Sequence, residues 1–343
     1  MSDLAPTPPT MPLAATARPR LGFLGTGGIG RNRLDSLARG GGVEIVAVAD
    51  PDLDAAERAA ACAPRARVLG SFSDLLDEEL DGVVIATPSA QHAEQCIAAF
   101  EHGLAVFCQK PLAPTQAETR RVVQSAEAAD CLLDVDLPYR YTRGIENIHA
   151  LVRSGGLGHV YLADLTFHNA YGPDKPWFYE PRLAGGGCLM DLGTHLVDLA
   201  LFVLDYPPLA GATSRLFARG RPVERSEYVA EDYATARLDF ATGVTANIQC
   251  SWRLHAGRDA VIGAAFYGTE GGAALRNVDG SFYDFTAEWY RGTRRGVLAA
   301  SPDDWGGRAV SAWAERLRPA TGFDPECWKL VELARVLDVV YGR

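Results

Sequence analysis

The chain is short of positive charge: 33 Lys and Arg stand against 43 Asp and Glu, a formal net charge of -10. A nucleic-acid or anionic-membrane surface needs clustered basic residues, so neither partner is expected and small molecules are. Its seven cysteines, at positions 62, 96, 108, 131, 188, 250 and 327, form no CxxC pair and are odd in number. That argues against a disulfide framework and a structural zinc site, predicts no metal, and suits a reducing cytoplasm. Also missing are an internal repeat and, in the first eighteen residues, an apolar run long enough for a signal peptide or membrane span. Residues Met1 to Arg18 are instead rich in Pro, Ala and Thr and read as a disordered tail, within which Met11 is a second candidate start.

What the chain has is length for two hydrophobic cores, with apolar residues making up 48% of its 343 positions. Short apolar runs at Leu21 to Leu24, Val43 to Ala49, Val83 to Ala86, Leu104 to Cys108 and Cys131 to Val135 read as strands buried on both faces. Helical patterns at Ile29 to Ala38, Leu53 to Cys62, Ala90 to Phe100 and Gln116 to Ala128 lie between them and supply the crossovers of a parallel sheet. After about residue 140 the pattern changes. Val160 to His168, Tyr233 to Phe240, Val244 to Trp252, Ala260 to Tyr267 and Ser281 to Trp289 alternate polar and apolar residues. Strands without intervening helices predict an open mixed, largely antiparallel sheet with one face to be covered. The only other long helices expected are near Gly187 to Leu204 and Pro325 to Val340. The predicted organisation is α/β followed by α+β. A tail over 1–18 precedes a Rossmann dinucleotide-binding domain over 19–138 and a substrate and oligomerisation domain over 139–343, whose helix at 325–340 returns to the first domain.

The cofactor is read from Gly25-Thr26-Gly27-Gly28-Ile29-Gly30, which sits between the first strand and the first helix. Gly25 permits a tight turn, Gly27 lets the backbone approach a pyrophosphate, and Gly30 lets helix and strand pack closely. The phosphates then meet the positive end of the helix. Asp50, about twenty residues further on, can accept hydrogen bonds from both ribose hydroxyls and repel a 2′-phosphate. NAD is therefore preferred, with Arg31 close enough to admit NADP.

Taken with Ala86-Thr87-Pro88-Ser89-Ala90-Gln91-His92, Gln109-Lys110-Pro111 and Gly185-Gly186-Gly187-Cys188-Leu189-Met190-Asp191-Leu192-Gly193-Thr194-His195, the glycine turn resembles the Gfo/Idh/MocA family of oxidoreductases. That family includes inositol dehydrogenases and glucose-fructose oxidoreductase. The resemblance covers most of the chain beyond the tail and implies an active site between a Rossmann domain and an open-sheet domain. The residues support the same place independently, because ligands of open α/β sheets bind beyond the carboxyl ends of the strands, where Thr87, Pro88 and Lys110 fall. Asp191, His195 and Asp198 stand at i, i+4 and i+7 of one predicted helix and so share a face.

The resemblance implies that His195 exchanges a proton with a carbinol hydroxyl while hydride moves to nicotinamide, and that Lys110 bonds the same oxygen. It implies that Asp191 orients His195 or holds a neighbouring hydroxyl. The bland readings are a solvated Lys110, a core His195 bonded to Asp191, and an Asp198 paired locally. His92 reads as structural or as lining the cofactor pocket, and His102, His149, His159 and His255 receive no role. Gln109 departs from the family's Glu-Lys-Pro, and strand alternation turns it away from the substrate, so packing or hydrogen bonding behind the cofactor is where its effect is expected.

Trp177, with Tyr171, Phe178 and Tyr179, is a candidate pocket wall for a sugar ring, against a reading as a self-packed surface loop. Tyr139, Arg140 and Tyr141 at the junction of the halves are candidate polar contacts. The expected activity is NAD(P)-dependent interconversion of a secondary alcohol and a ketone on a sugar, cyclic polyol or nucleotide sugar. The alternatives are a non-catalytic cofactor-binding sensor or scaffold of the same fold, and an NADPH-dependent dihydrodiol or biliverdin-type reductase. The family also implies a homo-dimer or homo-tetramer through the open sheet.

Overall fold

The computed structural model describes residues 18–224, 228–317 and 321–343. The tail expected over 1–18 lies, except for Arg18, outside the described residues. The first half forms a six-stranded sheet from β1 (Arg20–Leu24), β2 (Glu44–Ala49), β3 (Arg67–Leu69), β4 (Gly82–Ile85), β5 (Ala105–Gln109) and β6 (Leu133–Asp136), in the order 3-2-1-4-5-6. Every pairing in it is parallel. This is the doubly wound arrangement, with its switch point between β1 and β4. The five expected strands are present, each displaced by no more than a residue or two. β3 was not foreseen: it has three residues, none of them buried, and so no continuous apolar run to betray it.

The second half forms a nine-stranded sheet from β7 (Val160–Asn169), β8 (Leu209–Ala218), β9 (Arg221–Pro222), β10 (Tyr233–Phe240), β11 (Thr245–Ser251), β12 (Ala260–Gly268), β13 (Gly272–Asn277), β14 (Phe285–Arg291) and β15 (Arg294–Ala299). Its order is 15-14-13-12-7-11-10-8-9. Only β7 and β11 run parallel; the other pairings are antiparallel. Alternation decides which face is covered. Ala234, Ala236, Leu238 and Phe240 of β10 and Ala246, Ile248 and Cys250 of β11 are buried, while Arg237, Asn247 and Gln249 point the other way. Helices Arg143–Arg153, Thr194–Val203 and Trp328–Tyr341 lie on the apolar face.

Three expectations need correction. The strand predicted from Ser281 begins at Phe285, because Ser281 and Asp284 close a turn in which the Ser281 hydroxyl accepts from the Asp284 amide at 3.0 Å. A long helix, Arg143–Arg153, was missed, although Thr142 caps it by accepting from the Ile145 amide and Ile145 and Ile148 bury one stripe. The segment Gly187 to Leu204 is not one α-helix: a π-turn over Leu189–Gly193 precedes the α-helix Thr194–Val203. The apolar stretch Pro181–Val203 is long enough to cross a membrane by composition, but it is buried inside the fold.

Two helices of the last third pack on the first sheet's domain. Trp328–Tyr341 lies against Gln116–Ala128, where the Gln116 amide donates to Asp338 at 2.9 Å. Arg308–Glu315 lies against Gly28–Gly40 and sends Trp313 into the core beside Phe107, ring centres 5.6 Å apart.

Candidate active site

The glycine turn has the mechanics its sequence requires. Gly25 holds φ at +84°, where a Cβ would also meet the Ala86 carbonyl at 2.6 Å. A Cβ on Gly30 would overlap the Gly25 carbonyl oxygen, so helix and turn touch backbone to backbone. Gly27 and Gly28 face open space, with nothing within 4 Å of where a Cβ would stand. The Gly28–Gly40 helix behind them has no side-chain cap and no acid in its first turn, which leaves its N-terminal amides for an anion. Asp50 is fixed at the rim: it accepts from the Thr26 amide at 2.7 Å, the Thr26 hydroxyl at 3.1 Å and the Asp52 amide at 2.9 Å. Ile29 and Arg31 are exposed on the helix. These features fit a dinucleotide.

Beyond β4, the Thr87 hydroxyl donates to Gln95 at 2.5 Å. His92 is buried and links the two strand-end loops, one ring nitrogen 2.8 Å from the Thr87 carbonyl and the other 2.8 Å from the Pro111 carbonyl. Burial pushes its pKa down, against the pull of the two carbonyls. It is a structural clamp under Pro88. Lys110 precedes a cis bond to Pro111. Its ammonium donates to the Asp191 carboxylate at 2.7 Å and to the Asp191 carbonyl at 2.7 Å, joining the end of β5 to the π-turn. The other Asp191 oxygen accepts from the Trp252 indole at 3.1 Å. Lys110 is therefore not a solvated surface lysine: its side chain is 15% exposed.

His195 is buried beside this pair, edge-on to Tyr139 with ring centres 4.9 Å apart. Burial first, then the charges of Lys110 and Arg33, hold its pKa well below the ordinary imidazole value. The ring is neutral and can accept a proton. Asp191 is committed to Lys110 and Trp252, so the reading of His195 as a core histidine bonded to Asp191 does not hold. Nor do three side chains share one helix face. The π-turn intervenes, and Asp198 instead receives Arg140, whose Nε lies 2.9 and 3.0 Å from its two oxygens. Tyr206 bonds the same guanidinium, and Phe202 packs against it at 5.0 Å. Arg140, expected at the substrate, is thus bound up in a structural pair. Trp177 stacks on Phe178, and Tyr179 meets Trp252 edge-on at 5.4 Å, which places this aromatic run next to Asp191. Tyr171 is exposed and bonds Asp259.

Three residues escaped the sequence reading. Glu231, buried, accepts from the Gly187 and Leu189 amides and from the Tyr341 hydroxyl, each at 2.9 Å, while its carbonyl takes the Cys188 amide at 2.8 Å. A Cβ on Gly187 would overlap the Glu231 backbone and one on Gly186 the Tyr341 hydroxyl, which explains the glycines ahead of Asp191. Asp136, at the end of β6, receives Arg33 at 2.6 Å and the side-chain amide of Gln109 on one oxygen, and its other oxygen has no hydrogen-bond partner among the described residues. Gln109 thus bonds Asp136 while Lys110 bonds Asp191, as neighbouring side chains on a strand diverge. An acid closing a parallel strand, and an arginine on the apolar stripe of the first helix, were the available signals. Glu231 carried none.

A dinucleotide turn on a doubly wound sheet, with a charged pair joining that sheet's β5 end to a second, mixed-sheet domain, defines a two-domain dinucleotide-binding fold. The profile described as "Oxidoreductase family, NAD-binding Rossmann fold" matches residues 20–137, and that of the "GFO/IDH/MocA C-terminal domain" matches residues 145–274. The 1,5-anhydro-D-fructose reductase of Ensifer adhaerens is 31% identical over 266 residues, covering 76% of this chain and 76% of that protein. D-apiose dehydrogenase of Paraburkholderia graminis is 31% identical over 241 residues, 69% of this chain and 61% of the relative. The match to the inositol 2-dehydrogenase 3 of Saccharopolyspora erythraea spans 54% of that protein. A solved levoglucosan dehydrogenase, in complex with NADH and L-sorbose, shares the fold at a TM-score of 0.80, with 20% identity over 95% of this chain and 96% of that one. The chain belongs to the GFO/IDH/MocA family, and its first domain is the family's NAD-binding Rossmann domain.

Proposed function

We propose that the protein is an NAD-dependent dehydrogenase or reductase that interconverts a secondary alcohol and a ketone on a sugar or cyclic polyol. The observation that carries the reading is the Lys110–Asp191 pair, built across the two domains beside a buried neutral His195. Bound NAD supplies the hydride acceptor. In the oxidising direction a ring nitrogen of His195 takes the carbinol proton, and the Lys110 ammonium stabilises the charge growing on the same oxygen. Asp191 holds that ammonium in place, and with Trp252 it borders the ring's other hydroxyls. In the reducing direction His195 returns the proton. Asp50 favours NAD over NADP by taking the ribose hydroxyls.

Residues 19–138 form the cofactor unit in this reading and 139–343 the substrate unit, which self-associates through the polar face of its sheet. A cytoplasmic setting is supported by seven free thiols. Elution of the purified protein as a monomer at micromolar concentration contradicts the self-association. A panel of polyols, aldoses and nucleotide sugars, followed by absorbance of the reduced nicotinamide, tests the activity. Lys110→Met and His195→Asn are each expected to lower kcat by about 10²- to 10⁴-fold with NADH binding retained. NADH binding without turnover by the wild-type protein across the panel points to the non-catalytic sensor instead.

A further inference from the structure

A groove of about 560 Å³ opens on the substrate domain, between the loop carrying Tyr179 and the hairpin that joins β8 to β9. It is bordered by Tyr179, Trp252, Asp232 and three arginines, Arg219, Arg221 and Arg253. The Trp252 indole spans from this groove to the catalytic pair, since its Nε1 donates to Asp191 at 3.1 Å. In a chain with a net charge of -10, Arg219 and Arg253 beside a single lining carboxylate make a local reversal of sign. That carboxylate is partly engaged already, accepting the Arg219 amide at 2.8 Å.

The backbone supplies a second, independent observation. Ala218 pairs with Arg221, so Arg219 and Gly220 are the two central residues of a tight hairpin, with φ of +51° and +73°. That geometry takes Asn, Asp or Gly at its first position at little cost and an arginine only with strain. Arg253 stands at φ +59° as well. Two of the groove's three arginines thus occupy left-handed positions that glycine would fill more easily. A long cationic side chain kept at a strained position points to use of its head group. The Arg253 guanidinium, 5.1 Å above the Tyr179 ring and 3.1 Å from its hydroxyl, is held over the groove by that aromatic face.

We infer that the substrate carries an anionic group, a phosphate or carboxylate, on the part of the molecule remote from the reacting carbinol, and that Arg219 and Arg253 receive it. The inference rests on the dehydrogenase reading. It adds that the sugar ring lies against Trp252 and Tyr179 with its acidic end among the arginines, where fork-shaped donors match carboxylate and phosphate oxygens. The groove is in the size range that holds a whole drug-sized ligand, so it has room for more than a single monosaccharide ring.

The test compares matched pairs with the full protein and saturating NAD: glucose with glucose 6-phosphate, glucose with glucuronate, and methyl glucoside with UDP-glucose. In at least one pair the acidic member is expected to have a kcat/KM about tenfold or more above its neutral partner, as one charge-assisted contact warrants. Which pair responds separates a monophosphate, a carboxylate and a diphosphate. That ratio is expected to shrink as salt rises from roughly 0.05 M to 0.5 M. It is also expected to fall toward one in Arg219→Gly/Arg253→Gly, a variant that relieves backbone strain and so preserves the fold. Equal rates within every pair, or a preference unchanged in the double variant, overturn the inference while leaving the dehydrogenase intact. If none of these glucose derivatives is turned over, the dehydrogenase reading is decided by the wider panel above and not by these pairs. Quenching of bound NADH fluorescence by the same pairs then decides the groove: acidic members binding tighter to wild type than to the variant support it, and equal binding overturns it.

Discussion

His195 shows how one buried side chain ties chemistry to pH. With burial, Lys110 and Arg33 all opposing its protonation, the ring stays neutral below the ordinary imidazole value. The acid limb of kcat/KM for alcohol oxidation is therefore expected below about pH 6.5, and a limb at or above that value would remove His195 as the base. Stability has the same sign. The unfolded chain takes up this proton more readily than the folded one, so the contribution of neutral His195 is complete above about pH 6.5. It is lost as pH falls toward the depressed folded value. Denaturant midpoints measured at about pH 7.5 and about pH 5.5 should fall in wild type and fall less in His195→Asn. At this scale Lys110, Asp191 and His195 were legible because each belongs to a spaced pattern. Glu231 was not, because a carboxylate that accepts two amides from a loop 42 and 44 residues away leaves no local trace.

Among the elements, the π-turn at Leu189–Gly193 determines which side chains meet. Periodicity treats Asp191, His195 and Asp198 as one stripe; the turn's wider winding sends the first to Lys110 and leaves the last to Arg140. Such a turn is invisible to a 3.6-residue pattern, whereas the glycines that permit it stand in plain view. Gly187→Ala drives a methyl group into the Glu231 backbone and is expected to cost about 1–3 kcal/mol in stability, read as a drop in melting temperature. Glu231→Ala leaves the Gly187 and Leu189 amides unpaired at about 1–3 kcal/mol each. Both should lower kcat more than NADH affinity, since the glycine turn at Gly25–Gly30 is untouched. The strands of the first sheet were legible because burial on both faces makes them uniformly apolar. β8, β9 and β15 escape the pattern because half-exposed or short strands carry mixed residues, and β13 because its buried run, Gly272 to Leu275, is only four small or apolar residues long.

Across the whole molecule, the contacts that build the site differ in how far apart in sequence their partners lie. The dinucleotide turn and Asp50 are joined across 24 residues, whereas Lys110 reaches Asp191 across 81 and Glu231 reaches Tyr341 across 110. Arg33 and Asp136, 103 residues apart, close the first domain beneath the pair. Asp136→Ala strands a buried guanidinium and is expected to cost about 3–5 kcal/mol, measurable by urea denaturation. The dinucleotide-binding half is finished by residues made last: Trp313 fills its core beside Phe107, and Asp338 takes the Gln116 amide. A chain cut before residue 308 is therefore expected to lose dinucleotide affinity although its glycine turn is intact, so the two ends of the chain stand or fall together.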